Sequence, residues 1–276
     1  FELDGKDVII CSPQNIPFND YNYKYQNTAS SVYFIGKLDL KTGRYQCEAM
    51  DEIDAGFDFY APQALKAPDG RIIMTAWMNM WGRSYPSGKD GWVGADILPR
   101  ELTIVNGRLR QNPVKEIENY RSNIVQYSNC IIEEDGCVSF DNISGQSIEL
   151  VLTVDLLDSE VFGIKLFASE KHETLLFYER STGCITFDRS NSGQKIEISP
   201  SENHYGDGVR KVKINVNDNT LTARIFLDKC SMEAFFQDGE RVLTSTVYPD
   251  DEDINVYFYA TGGKALIKSL VKYDIL

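Results

Sequence analysis

Histidine is scarce in this chain. Of 276 residues only two are histidine, His172 and His204, and both fall in the second half. A Ser-His-Asp triad, a Cys-His pair or a His-ligated metal is therefore excluded from the first half, and any hydrolysis there has to run on carboxylates. Basic residues are also in short supply, 28 Lys and Arg against 41 Asp and Glu, for a formal net charge of −13. A surface that acidic repels phosphate backbones and anionic lipid, so nucleic acid and membrane are poor partners and a neutral ligand such as a sugar fits better. No apolar run is long enough to span a bilayer. The six cysteines, Cys11, Cys47, Cys130, Cys137, Cys184 and Cys230, form no CxxC pair, which argues against a zinc ribbon. Most lie in apolar strand-like runs such as "VIIC" and "CITF" and are read as buried free thiols of a reducing, cytoplasmic compartment. Neither a metal nor a cofactor is expected.

What is present is β texture nearly throughout. Short alternating or apolar runs, among them "SVYFIGKLDL", "RIIMTAW", "IELVLTVDL" and "INVYFYA", are separated by turn dipeptides at Asp69-Gly70, Asn106-Gly107, Asp135-Gly136 and Asp238-Gly239. One amphipathic stretch, "PVKEIENYRS", predicts a short helix opening after Pro113. It divides the chain. Residues 1–115 hold all three tryptophans, Trp77, Trp81 and Trp92, and long loops, whereas the strands after the helix are tighter and more evenly spaced. A propeller piece followed by a β-sandwich fits that change of texture better than one large barrel.

The stretch "DEIDAGFDFYAPQ" puts Asp51, Glu52, Asp54 and Asp58 beside Phe57, Phe59 and Tyr60. Carboxylates hydrogen-bond and activate hydroxyls, and aromatic faces pack on the C–H faces of sugar rings. Read as a turn at Asp54-Ala55-Gly56 followed by a strand, the pattern directs Asp58 and Tyr60 to one face and Phe57 and Phe59 to the other. A solvated acidic turn on a buried aromatic strand satisfies the same pattern. Further on, "RIIMTAWMNMWGRSYPSGKDGW" is an apolar strand ending in Trp77, Asn79 and Trp81 before a Gly/Ser/Pro loop, a plausible sugar platform or a core tryptophan. Asn79 can bond hydroxyls or cap the turn. The basic residues of that loop, Arg83 and Lys89, are expected to solvate it.

These segments carry a resemblance. "DAGFDFYAPQAL", "GRIIMTAWM" and "YPSGKDGWVGADILPRELTIVNGRLRQNPVKEIENYR" resemble, in order, the glycoside hydrolase family of invertases, fructanases and sucrose-6-phosphate hydrolases, and "CITFDRSNSG" with "RIFLDKCSMEAFFQDGERVLTSTVYP" resembles that family's C-terminal sandwich. The resemblance implies an all-β chain: the last blades of a five-bladed β-propeller over residues 1–115, a linker with a short helix over 116–128, and a β-sandwich over 129–276. It also implies retaining cleavage of β-fructosidic bonds in sucrose or fructo-oligosaccharides by an Asp nucleophile and a Glu acid/base. It assigns Asp54 and Asp58 to hydrogen bonds in the sugar pocket and Trp77 to the wall of the fructose subsite. Asp228, Glu233 and Glu240 read as turn and edge charges of the sandwich.

The family's Arg-Asp-Pro and Glu-Cys motifs are not found here, and Asn19-Asp20 in "PFNDYNY" imitates its nucleophile motif only in part. The chain opens on "FELDGKDVIICSP", which reads as a strand already under way. The expectation is therefore that an N-terminal part is missing, that no catalytic carboxylate lies within the chain, and that the chain pairs with that part or with another copy. The alternative is a non-catalytic carbohydrate-binding or scaffold protein; a lectin-like sandwich is a third reading.

Overall fold

The computed structural model describes residues 1–199 and 208–276; His204 lies outside the described residues. The first region is built from two antiparallel meanders. β1 (Glu2–Leu3), β2 (Lys6–Cys11), β3 (Val32–Asp39) and β4 (Arg44–Glu52) pair in chain order. The second sheet holds β5 (Tyr60–Lys66) and β6 (Ile72–Met78); after it come β7 (Arg83–Ser84) and β8 (Ala95–Asp96), then β9 (Arg100–Val105) and β10 (Arg108–Pro113). Its order is β10-β9-β6-β5, with β8 beside β6. The Trp-rich loop is thus an insertion between the second and third strands of the meander. β9 and β10 meet in a two-residue hairpin, and Asn106 and Gly107 have φ of 53° and 74°, as a primed turn requires.

The second region has two six-stranded antiparallel sheets. β11 (Arg121–Ile132), β12 (Cys137–Val138), β13 (Ile148–Asp155), β14 (Val161–Ala168), β15 (Glu173–Glu179) and β16 (Cys184–Asn191) begin it. After them come β17 (Glu197–Ile198), β18 (Val209–Lys213), β19 (Thr220–Asp228), β20 (Ser231–Phe236), β21 (Arg241–Thr246), β22 (Asn255–Thr261) and β23 (Ala265–Ile275). One sheet runs β11-β23-β13-β19-β20-β21 and the other β12-β22-β14-β15-β16-β18, while β17 leaves to pair with β7 of the first region. Alternate residues of both sheets, such as Leu150, Leu152 and Val154 on β13 and Phe258 and Ala260 on β22, bury into one shared core.

Three sequence expectations change here. The helix is a six-residue 3₁₀ turn, Lys115–Tyr120, with no buried residue. Its N-cap is Val114, which has no side-chain acceptor for the first amides, so nothing stabilises a longer helix. Only the start of the expected 116–128 linker is linker, because residues from Arg121 onward already pair with β23. The cysteines are free, but only Cys184 is buried; Cys11, Cys47 and Cys137 are exposed because they occupy outward-facing strand positions.

Candidate functional site

Residues 53–59 do not form the expected alternating strand; β5 begins only at Tyr60. The segment lies in the seam between the two regions, covered on both sides. Ile53 and Phe59 pack into the core of the first region, and Ala55 and Phe57 into the core of the sandwich. Its backbone runs along β21: the Ala55 amide donates to the Val242 carbonyl at 2.9 Å and the Asp58 amide to the Thr244 carbonyl at 3.1 Å. The approach is so close that a Cβ on Gly56 would collide with the Thr244 backbone, which is why glycine stands there.

Both carboxylates of this segment are saturated. Asp54 Oδ1 accepts from the amides of Gly56 (2.8 Å) and Thr244 (2.9 Å), and Oδ2 accepts from Arg100 (3.0 Å) and the Thr244 hydroxyl (2.6 Å). Asp58 Oδ1 accepts from Arg83 and from the Tyr85 hydroxyl, each at 2.7 Å. Its Oδ2 accepts from Arg189 (2.7 Å) and from the Thr246 amide (2.9 Å) and hydroxyl (2.8 Å). Asp58 is fully buried and Asp54 nearly so. The solvated acidic turn is therefore overturned, and no lone pair is left on either residue for a sugar hydroxyl. Arg83, expected to solvate its loop, has a side chain with no exposed surface and also donates to the Phe57 carbonyl at 2.6 Å. Glu233 is not an edge charge: it is buried, accepts from Arg100 at 2.7 Å and takes the Leu98 amide at 2.7 Å. Asp228, on the surface, accepts from Ser147, as a turn charge would.

The electrostatics follow from this packing. Burial alone would raise the Asp58 carboxyl, but Arg189, Arg83, Tyr85 and the Thr246 amide overcome it and hold Asp58 far below the usual carboxylate range. Burial, then the Asp58 charge, pushes the Tyr85 hydroxyl well above its ordinary value, so it stays a donor. Burial outweighs Arg100 at Glu233 and raises its carboxyl. The guanidinium of Arg189 stacks 3.8 Å from the Phe57 ring centroid, and Arg100 lies 5.1 Å from both Phe59 and Phe235.

The aromatic half of the candidate site stands apart from these acids. Trp77, half-buried, pairs with Tyr60 in register across β5 and β6. Its ring lies 5.2 Å from Trp81 in an edge-on arrangement, and Trp81 in turn lies 6.4 Å from Tyr60. Trp81 is 53% exposed. Gly94 backs the Trp77 indole so closely that any Cβ there would strike it. The three rings form one partly open aromatic face, which the chain pattern around Trp77 signalled and the Tyr60 pairing completes. Asn79 caps its turn, with Oδ1 accepting the Met80 amide at 2.7 Å. Asn19 likewise caps a turn, accepting from the Tyr21 and Asn22 amides, and Asp20 is exposed. Arg100, Arg189, Thr244 and Thr246 were not singled out in the sequence; the one available signal was that an aspartate flanked by buried aromatics needs an arginine.

Among the described residues one group brings metal-type ligands together, His172, Asp250 and Asp253. His172 Nδ1 lies 2.8 Å from Asp253 Oδ2, which also accepts the Asp250 amide at 2.7 Å, so the group acts as the staple of an acidic turn. No helix of the described residues is long and apolar enough to cross a membrane.

Two family models match the chain. The one described as "Glycosyl hydrolases family 32 N-terminal domain" covers residues 1–113, and "Glycosyl hydrolases family 32 C terminal" covers 111–274. The sucrose-6-phosphate hydrolase of Staphylococcus xylosus is 31% identical over 280 residues, spanning 100% of this chain and 53% of its own length. A raffinose invertase of Escherichia coli is 34% identical over 262 residues, spanning 94% of this chain and 51% of its own. Among solved structures, a family 32 β-fructofuranosidase of Bombyx mori superposes with a TM-score of 0.76 at 26% identity, over 100% of this chain and 53% of that one. The chain spans about half the length of the curated relatives it matches.

Proposed function

This chain belongs to glycosyl hydrolase family 32, and from that premise we propose that it forms the later blades and the sandwich of a retaining β-fructofuranosidase. The two meanders of residues 1–113 are read as the last blades of a five-bladed propeller. Sucrose or a fructo-oligosaccharide is the substrate class, in keeping with relatives named sucrose-6-phosphate hydrolase and raffinose invertase. The observation that carries the reading is the partly open face of Tyr60, Trp77 and Trp81, an apolar surface suited to the C–H side of a fructose ring. Trp77 is the wall of the fructose subsite.

The bond-breaking carboxylates are proposed to come from outside this chain. Asp54 and Asp58 already accept every hydrogen bond their geometry allows, and a nucleophile or acid needs a lone pair or proton free to meet the substrate. Their role here is positional: they lock the seam that sets β5, and with it Tyr60, against the sandwich. The same saturation favours a second reading, a carbohydrate-binding protein that performs no chemistry.

Sucrose hydrolysis separates the two. The isolated chain is expected to release no fructose, and the full-length protein that contains it is expected to be active. In that protein Trp77→Ala should cut kcat/KM by about tenfold to a hundredfold, since a ring that can shift loses alignment as well as contact. Wild-type kcat/KM in the variant would remove Trp77 from the subsite, and an inactive full-length protein would favour the binding reading.

A further inference from the structure

Beside Trp77, across Gly94, lies a cavity of about 340 Å³ between the two regions. One wall comes from residues 78–99 and the other from β19–β21 and the residues after them. Its volume falls at the small end of ordinary ligand pockets. We propose that this cavity is a second binding site, for a small neutral polyhydroxy compound of mono- or disaccharide size, independent of the bond cleavage proposed above.

Four features set the chemistry of the occupant. The first is an unmet donor. Asn79 is only 2% exposed, its Oδ1 is engaged by the Met80 amide, and its Nδ2 donates to no group among the described residues, yet Asn79 lines the cavity. That amide faces the cavity with its N–H groups free, a donor that an incoming hydroxyl oxygen can engage. The second is an acceptor on the same wall: Asp96, exposed and also in the lining, accepts no hydrogen bond from the described protein groups and is free to take a hydroxyl proton. The third is an apolar platform, the Trp92 indole, 43% exposed. The fourth is charge. No Lys or Arg lines the cavity while Asp96, Asp228 and Glu233 do, so an anion finds no partner and is repelled.

The site is also wired to the seam. Tyr85 and Thr246 line the cavity and both donate to Asp58, while Glu233 lines it and holds Arg100. A ligand bridging the two walls therefore stabilises the docked arrangement, by an amount that grows with its concentration over its dissociation constant.

Cys230 supplies a local reporter, since it lines the cavity and is half-buried. The 276-residue protein would be titrated with fructose, glucose and sucrose, with gluconate as the anionic comparison. Alkylation of each cysteine would be followed by peptide mass spectrometry alongside thermal unfolding. Expected are saturable protection of Cys230 but not of exposed Cys11 or Cys47, a raised Tm with the neutral sugars, and no effect of gluconate. Trp92→Ala should weaken the protection about tenfold, and Trp81→Ala, on the other aromatic face, should leave it unchanged. Sugars that bind without protecting Cys230, or binding lost in Trp81→Ala and kept in Trp92→Ala, would overturn the proposal; the second result would leave the propeller subsite standing. No binding by any of the three sugars would overturn it too.

Discussion

The two regions of this chain use the same strand chemistry to different ends. The sandwich buries alternate residues of two six-stranded sheets into one shared core, whereas the first region packs two smaller meanders around a thinner core. Where they meet, buried charge is added to apolar contacts such as Phe57 on Phe187 and Leu98 on the Phe226–Phe235 cluster: Asp54, Asp58 and Glu233 are buried against Arg83, Arg100 and Arg189. The lesson lies in that contrast. Apolar cores hold each region, but hydrogen-bonded charge specifies how one sits on the other, because an ion pair tolerates far less misplacement than an oily contact. Buried pairs contribute little net stability when intact and cost much when broken.

The largest test of that contrast is Asp58. Asp58→Asn leaves Arg83 and Arg189 buried without their carboxylate and should cost about 3–5 kcal/mol in urea unfolding at neutral pH. Because the folded state holds the Asp58 carboxyl far below its ordinary range, its contribution is present above the unfolded value near 4 and is lost as pH falls below it. The gap between wild type and variant should therefore close in acid; a gap independent of pH would mean that Asp58 acts through shape alone.

Hydrogen exchange asks whether the joint fuses the regions into one unit. Amides of β2 and β5 should open about 2 kcal/mol more easily than those of β13 and β14, since less apolar surface is lost on opening. Equal protection throughout would show that the seam makes the two regions unfold together.

A smaller effect is expected at Asp54→Asn, about 1.5–2 kcal/mol, because Arg100 keeps Glu233 and Gln111 as partners. A loss as large as that of Asp58→Asn would show that the two acids are equivalent. A test confined to raised pH is Glu52, at the edge of the seam, whose Oε1 takes the Tyr25 amide at 2.6 Å. Burial, opposed by that hydrogen bond, pushes its carboxyl up from 4.5 to about 8. The folded state then holds a proton that the unfolded chain has lost, so stability falls as pH rises between those values. Glu52→Gln should gain stability progressively between pH 4.5 and 8, reach its full gain above pH 8 and gain nothing below pH 4.5; no gain at high pH would mean that Glu52 ionises freely in the fold.

Much of this was legible in the residues. Apolar alternation and turn dipeptides decide strands locally, so the β texture, the Asn106-Gly107 hairpin and the break after Pro113 could be read from neighbours alone. Trp77 with an aromatic neighbour was legible for the same reason, since Trp81 lies four residues on. The 3₁₀ turn was less so, because its missing cap is a detail of one side chain.

What only the tertiary structure decided is the meaning of the acids. An Asp between phenylalanines reads alike whether water or protein covers it. Asp58 meets Arg189 across 131 residues and Thr246 across 188, and Asp54 meets Thr244 across 190. No local pattern encodes such pairings. The sequence by itself determined which residues could form strands, turns and an aromatic face; the packing of one region on the other decided that its most conspicuous carboxylates became buried ion-pair partners, because burial is a property of what comes to lie opposite.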